Sequence, residues 1–185
     1  ANCQVTAVDL SRSSLAYAQR KTSELGITNI KYLQADILHL GRLGRQFDIV
    51  ESSGVLHHMD DPMTGWRVLA DLLKTGGLMK IGLYSELARR HIVMFREEVA
   101  AAGIGSSGAE IRQFRHSLVE SHDQNHRLLK RFPDFFSLSM LRDLIFHVQE
   151  HRFTLPQIKD CLDQLGLKFC GFENQSTVNE FKRSF

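Results

Sequence analysis

The first ninety residues predict an α/β domain built on a parallel sheet. Three observations carry that expectation. Short runs rich in β-branched and small apolar residues occur at Val5–Leu10, Ile30–Leu38 and from Phe47 to Glu51. Single helical patterns separate them. Each run ends on an acid, respectively Asp9, Asp36 and Glu51. Strands alternating with single helices at this spacing read as βαβ units with right-handed crossovers. In such sheets, polar groups at the carboxyl ends of strands lie where ligands bind.

Taken in order, VTAVDL from Val5 is a buried strand with an acid at its tip. Ser11 then supplies a helix N-cap, Leu15, Ala18, Thr22 and Leu25 recur at helical spacing, and Gly26 ends the helix. Ile30–Leu38 (IKYLQADIL) is a second strand, and FDIVESSGVLHHMDDP, from Phe47 to Pro62, is a third that opens into a small-residue turn with paired histidines. Pro62 suits a first helical position, with Trp66, Leu69, Leu72 and Leu73 forming a stripe that ends at Gly76 and Gly77. Leu78–Tyr84 is then a fourth strand.

From Ser85 to about Arg152 the pattern is helical, and too long for one crossover. Helices are expected at Glu86–Ala102, Ala109–Phe132 and Phe135–His151, with GIGSSG from Gly103 as a joint. Leu155–Leu165 reads as a short helix with Pro156 near its start, and Leu167–Phe172 (LKFCGF) as a final strand. The last dozen residues carry no clear signal. The expected organisation is a single domain: a core over 1–86, a helical insert or lid over 87–152, and a C-terminal helix and strand over 153–185.

Composition narrows the function classes. At 185 residues and 43% hydrophobic, the chain is long enough to bury one core. Its 23 basic and 21 acidic residues, for a net charge of +2, are too balanced for a nucleic-acid footprint. Cys3, Cys161 and Cys170 are odd in number and show no ligand rhythm, which argues against a disulfide framework or a zinc site. No apolar run approaches the ~20 residues that span a bilayer, and no leader pattern precedes the first strand. A cytoplasmic protein with reduced thiols is expected.

An acid at a strand tip in a dinucleotide-type fold can accept from two vicinal ribose hydroxyls, because a carboxylate offers two acceptor oxygens. Asp9 fits that role, and it fits equally a helix-capping role. Asp36, one strand on, can accept from an exocyclic adenine amine. VTAVDLS, IKYLQADIL, FDIVESSGVLHHMDDP and LLKTGGLMKIGLYS, as an ordered set from Cys3 to about Glu86, resemble a class I S-adenosylmethionine-dependent methyltransferase. The segment Leu138–Phe172 also resembles bacterial methyltransferase domains of unassigned substrate.

The resemblance implies a Rossmann-like parallel-sheet fold, an α/β/α sandwich with a helical insert before the last strand. It implies S-adenosyl-L-methionine as cofactor: Asp9 at the ribose, Leu10 among the cofactor-binding residues, Asp36 at the adenine amine, Ile37 against the adenine ring, and Glu51, Ser52 and Ser53 near the methionine end. In the family, a first strand and its Gly-rich loop would precede Cys3 and lie between the strands of Val5 and Phe47. The resemblance therefore implies a fold incomplete at its N-terminus, a partial chain whose exposed strand edges invite pairing with another chain. A homodimer through such an edge, or through the helical insert, is expected.

Methyl transfer from a sulfonium asks the protein chiefly for positioning and for removal of an acceptor proton. His57 and His58 are candidate catalytic bases, the alternative being that one bonds the turn backbone and the other faces solvent. His122 with His126, and His147 with His151, have the spacing of a shared metal but no predictable third ligand, so no metal is expected. Trp66, Phe95, Phe114, Phe135, Phe136, Phe146 and Phe153 read as core before they read as a substrate pocket. Arg89, Arg90 and His91 read as a basic surface turn.

Two function classes follow. One is an enzyme that methylates a small molecule, or a protein or RNA residue, with the balanced charge disfavouring nucleic acid. The other is a catalytically inactive methyltransferase-like interaction or oligomerisation module. An NAD-dependent oxidoreductase is a weaker third, permitted by Asp9 alone.

Overall fold

The computed structural model describes residues 3–146 and 149–184. The chain divides into a unit over Ala1–Arg152 and a smaller one over Phe153–Phe185.

The larger unit begins with β1 (Val5–Asp9), α1 (Arg12–Glu24) and β2 (Ile30–Gln34). Ser11 caps α1 by accepting from the Ser14 amide, and Gly26 turns the chain at φ 68°, as the sequence predicts. β2 ends earlier than expected. Asp36 accepts from the Leu38 amide and so starts a short 3-10 turn over Ile37–Leu43, a competing use of residues whose apolarity had suggested more strand. β3 (Phe47–Ser53) follows, then α2 (Pro62–Asp71) with Pro62 in its first turn and Asp61 as its N-cap.

β4 covers Leu73–Gly82, beginning ahead of the expected Leu78. Its pairing with β3 jumps from Phe47 opposite Leu73 to Ile49 opposite Leu78. The extra residues loop out at Gly76, whose φ of 77° suits glycine.

β1 pairs with β2 in parallel, and β3 with β4 in parallel, as two separate two-stranded sheets. Among the described residues no ladder joins β1 to β3. The two strands nevertheless line one cleft. Arg45, just before β3, donates to the Thr6 hydroxyl near the start of β1, so the strands begin side by side. Each sheet thus turns an unpaired edge toward the other.

The helical stretch has a core of its own. α3 (Arg90–Ala101), α4 (Gly108–Glu120), α5 (Gln124–Leu129) and α6 (Leu138–Ile145) bury Ile92, Phe95, Ile111, Leu118, Leu129 and Leu141 together. Three expectations are corrected here. α3 begins at Arg90, after a turn. The helix expected over Ala109–Phe132 is two helices, because Asp123 accepts from the Asn125 and His126 amides and restarts the chain as a new N-cap. The helix expected over Phe135–His151 is a 3-10 turn at Pro133–Phe136 followed by α6, and Gln149–His151 are not helical. His147 and Val148 lie outside the described residues.

The smaller unit holds α7 (Leu155–Gln164), opened by a Thr154–Gln157 capping box, and α8 (Gln175–Ser184) where no element was expected. Leu167–Phe172 forms no strand among the described residues. Phe169 and Phe172 are exposed and meet edge to face at 5.0 Å. β propensity without a neighbouring ladder does not make a strand.

Candidate active site

The cleft between β1 and β3 encloses about 810 Å³ and collects the tips of three strands. Asp9, Leu10, Asp36, Ile37, Glu51, Ser52 and Ser53 all line it, so every residue expected at the cofactor is brought to one cavity. Local chemistry fixes the acids. Asp9 accepts from the Ser11 amide at 2.7 Å, and Asp36 from the Leu38 amide at 2.9 Å, each through Oδ1. Each acid is therefore a turn cap, and its Oδ1 bond orients the carboxyl group at the cleft wall.

Glu51 is held differently. It lies opposite Lys80 in the β3–β4 register and pairs with its ammonium at 3.1 Å, with both side chains about half exposed. An ion pair so exposed contributes little to stability, and it offsets one negative charge of the cleft. Ser52, on the opposite face of β3, is buried at 8% exposure and its hydroxyl makes no hydrogen bond among the described residues. A buried hydroxyl without a partner costs about 1–3 kcal/mol. The lining, with the carboxylates of Asp9, Asp36 and Glu51 beside apolar Ile37 and Leu38, fits a polar, cationic, adenosine-bearing group.

The turn after β3 carries both histidines, and it separates them. Gly54 takes φ 75°, a left-handed conformation that starts the turn. At Gly65 of α2, a Cβ would sit 2.4 Å from the Met59 sulfur, so glycine there lets α2 close onto the turn. His57 points inward at 1% exposure, stacked on Tyr84 with centroids 3.8 Å apart. Neither of its ring nitrogens has a hydrogen-bond partner among the described residues. Burial first, and the adjoining His58 second, push its pKa down to about 4, so it is neutral at pH 7. The Gly82 backbone lies near enough to oppose that shift slightly, without the geometry of a hydrogen bond. His58 is half-buried and lines the cleft, with Nδ1 3.0 Å from the Gln149 carbonyl oxygen.

Arg89 departs from the expected basic surface turn. It is 12% exposed, forks onto the fully buried Glu150 carboxylate, and lies 4.0 Å over the Tyr84 ring. Arg96 meets the same carboxylate at 2.9 Å, and Arg152 approaches it at 3.9 Å. Burial raises the Glu150 pKa, but the arginines overcome this and hold it below the ordinary carboxylate range. Sequence pattern gave no sign of Glu150, which is separated from Arg89 and Arg96 by long stretches of chain. Among the aromatic residues, Trp66, Phe95, Phe114 and Phe135 are core, while Phe136 is 72% exposed. His122 falls in the break between α4 and α5, so the expected helical pair with His126 does not form. The described residues contain no group of three potential metal ligands.

Residues 1–81 match the profile of a family described as a methyltransferase domain. An uncharacterized protein of Synechococcus sp. is 28% identical over 183 residues, covering 94% of this chain and 44% of that protein. The ubiquinone biosynthesis O-methyltransferase of Ruegeria pomeroyi is 33% identical over 75 residues, which are 40% of this chain and 30% of the enzyme. Among solved structures, PKMT2 from Rickettsia typhi superposes over 97% of this chain and 38% of its own, with TM-score 0.69 at 15% identity. The same protein in complex with AdoHcy gives TM-score 0.68 over 95% of this chain. The chain thus spans less than half the length of these relatives, and the likeness to PKMT2 establishes its fold. The profile match adds that residues 1–81 are similar to a methyltransferase domain.

Proposed function

We propose that the cleft binds S-adenosyl-L-methionine and that the protein methylates a small molecule or a residue of a macromolecule. One observation supports this above the rest: Asp9, Asp36 and Glu51, at or just beyond the ends of three strands, line one cavity. Asp9, beside Leu10, accepts from the ribose hydroxyls. Asp36 accepts from the adenine amine while Ile37 covers the ring. Glu51, Ser52 and Ser53 meet the amino-acid end, where carboxylates also favour a cation. The bound cofactor supplies an activated methyl group on a sulfonium. The work left to the chain is to hold the acceptor in line and to exclude water.

The AdoHcy complex of PKMT2 and the O-methyltransferase from Ruegeria support the same reading by likeness. The helical stretch over 90–145 is suited to cover the cleft mouth or to join two copies. Its folded core makes it a rigid element of either kind. The unpaired edges of β1 and β3 favour pairing with a further strand, supplied by a second polypeptide segment or a second copy. The three free thiols support a reducing compartment, the cytoplasm.

Calorimetric titration with S-adenosylhomocysteine tests the cofactor reading. Saturable binding that weakens in Asp9→Asn is expected. Binding unchanged in both Asp9→Asn and Asp36→Asn would remove the cleft from the account.

A further inference from the structure

Where the chain breaks between α4 and α5, one histidine ties the break to α3. His126 Nδ1 lies 2.6 Å from the Ser121 hydroxyl, and its Nε2 lies 3.1 Å from Glu98 Oε2 on α3. The break itself sets this up. Ser121 closes α4 in an extended conformation and Asp123 opens α5, so a serine and a histidine five residues apart meet across it. Phe95 and Glu98, three residues apart, share one face of α3. The Phe95 ring packs on the His126 ring with centroids 5.7 Å apart, on the helix that also brings the carboxylate.

Hydrogen-bonding roles follow from what each group can donate. A carboxylate only accepts, so the proton of the neutral imidazole sits on Nε2, facing Glu98. Nδ1 then holds the lone pair. The Ser121 hydroxyl donates to it while accepting from the Asp123 amide at 3.2 Å. Capping alone asks of Ser121 only that amide bond. Hydroxyl, imidazole and carboxylate in series are the arrangement that activates a serine for attack, here with the two ring nitrogens in the reverse order from the serine proteases. Ser121 is half-buried, and His122 to Asn125 beside it are exposed. The Lys130 ammonium, 3.4 Å from the Ser121 carbonyl oxygen, brings positive charge to the same residue.

We infer that Ser121 is the nucleophile of a second site, outside the lining of the cofactor cleft, that takes an acyl group from a small ester. The inference stands independently of the methyltransferase reading. In the first step Ser121 Oγ bonds to the ester carbonyl carbon as its proton passes to His126 Nδ1. The carbon–oxygen bond to the alcohol then breaks, and the alcohol leaves with that proton. Water repeats the sequence through the same histidine, releasing the carboxylic acid and restoring the serine. Ser121 and His126 are the catalytic residues. Glu98 is a positioning residue, holding the tautomer that leaves Nδ1 free to accept.

The test treats the full chain with a fluorophosphonate, locates the label by mass spectrometry of tryptic peptides, and follows hydrolysis of p-nitrophenyl acetate in parallel. Labelling concentrated on Ser121 is expected, with ester hydrolysis falling about a hundredfold in Ser121→Ala. His126→Gln, if folded by circular dichroism, should lose the label on Ser121. Wild-type chain that carries no label on Ser121, or label spread evenly over its serines, overturns the nucleophile. Hydrolysis unchanged in Ser121→Ala overturns it as well. Nitrogen-15 spectra of wild type are expected to show His126 as the Nε2–H tautomer, and Glu98→Ala should mix the two tautomers and slow labelling about tenfold. A spectrum that Glu98→Ala leaves unchanged would contradict the positioning role.

Discussion

The sheets of β1 to β4 and the helices α3 to α6 lie in one compact unit, yet they bury their residues very differently. α3, α4, α5 and α6 all submerge residues in a shared core, where Ile92, Ile111, Leu129 and Leu141 are fully enclosed. The sheets leave apolar surface open. Ile49 and Leu78, opposite each other in register, are 66% and 58% exposed, and α1 buries no residue. Helices close their own hydrogen bonds and need only one apolar face covered. A strand needs a neighbour on each edge and a layer on each face. Burial among α3 to α6 is therefore nearly complete, whereas the sheets leave an open cleft at their strand ends.

The joint between the regions gives the largest expected effect. Glu150→Ala leaves Arg89 and Arg96 without their buried counter-charge and should cost about 3–5 kcal/mol in urea unfolding. Next is the helical core. Leu141→Ala, at full burial, should cost about 2–5 kcal/mol by the same measurement.

The third concerns pH. His57 is held at about 4 in the folded chain against about 6.5 unfolded. The unfolded chain binds the extra proton between those values, so stability is full above about pH 6.5 and falls as pH drops toward 4. The loss is about 3 kcal/mol, and His57→Phe, which keeps the stack on Tyr84, should flatten that slope. Asp9→Asn should weaken S-adenosylhomocysteine about tenfold in calorimetry, because it exchanges one ribose acceptor for an amide. Ile49→Ala should be the mildest, below about 1 kcal/mol, its side chain being mostly in water. A loss comparable to that of Leu141→Ala would erase the contrast between the regions.

Local signals were legible where one residue decides the outcome. Ser11, Gly26 and Pro62 set the ends of α1 and the start of α2 as expected. The three strand-tip acids share one cleft as their pattern suggested. Longer-range outcomes were not legible. Asp123 breaks a helix that periodicity alone would continue, since capping competes with propagation only locally. Leu167–Phe172 has strand composition, but a strand is made by its partner. Arg89 looked superficial because the carboxylate that buries it, Glu150, lies far along the chain. The difference between His57 and His58 is likewise tertiary, set by Tyr84 on one side and Gln149 on the other.

Amide hydrogen exchange with and without S-adenosylhomocysteine tests the division of labour most directly. Slow exchange over 92–145 that the ligand leaves unchanged is predicted, with faster exchange over 5–10, 34–38 and 49–55 that the ligand slows. Equal protection of both regions, or slowing confined to the helices, would contradict it.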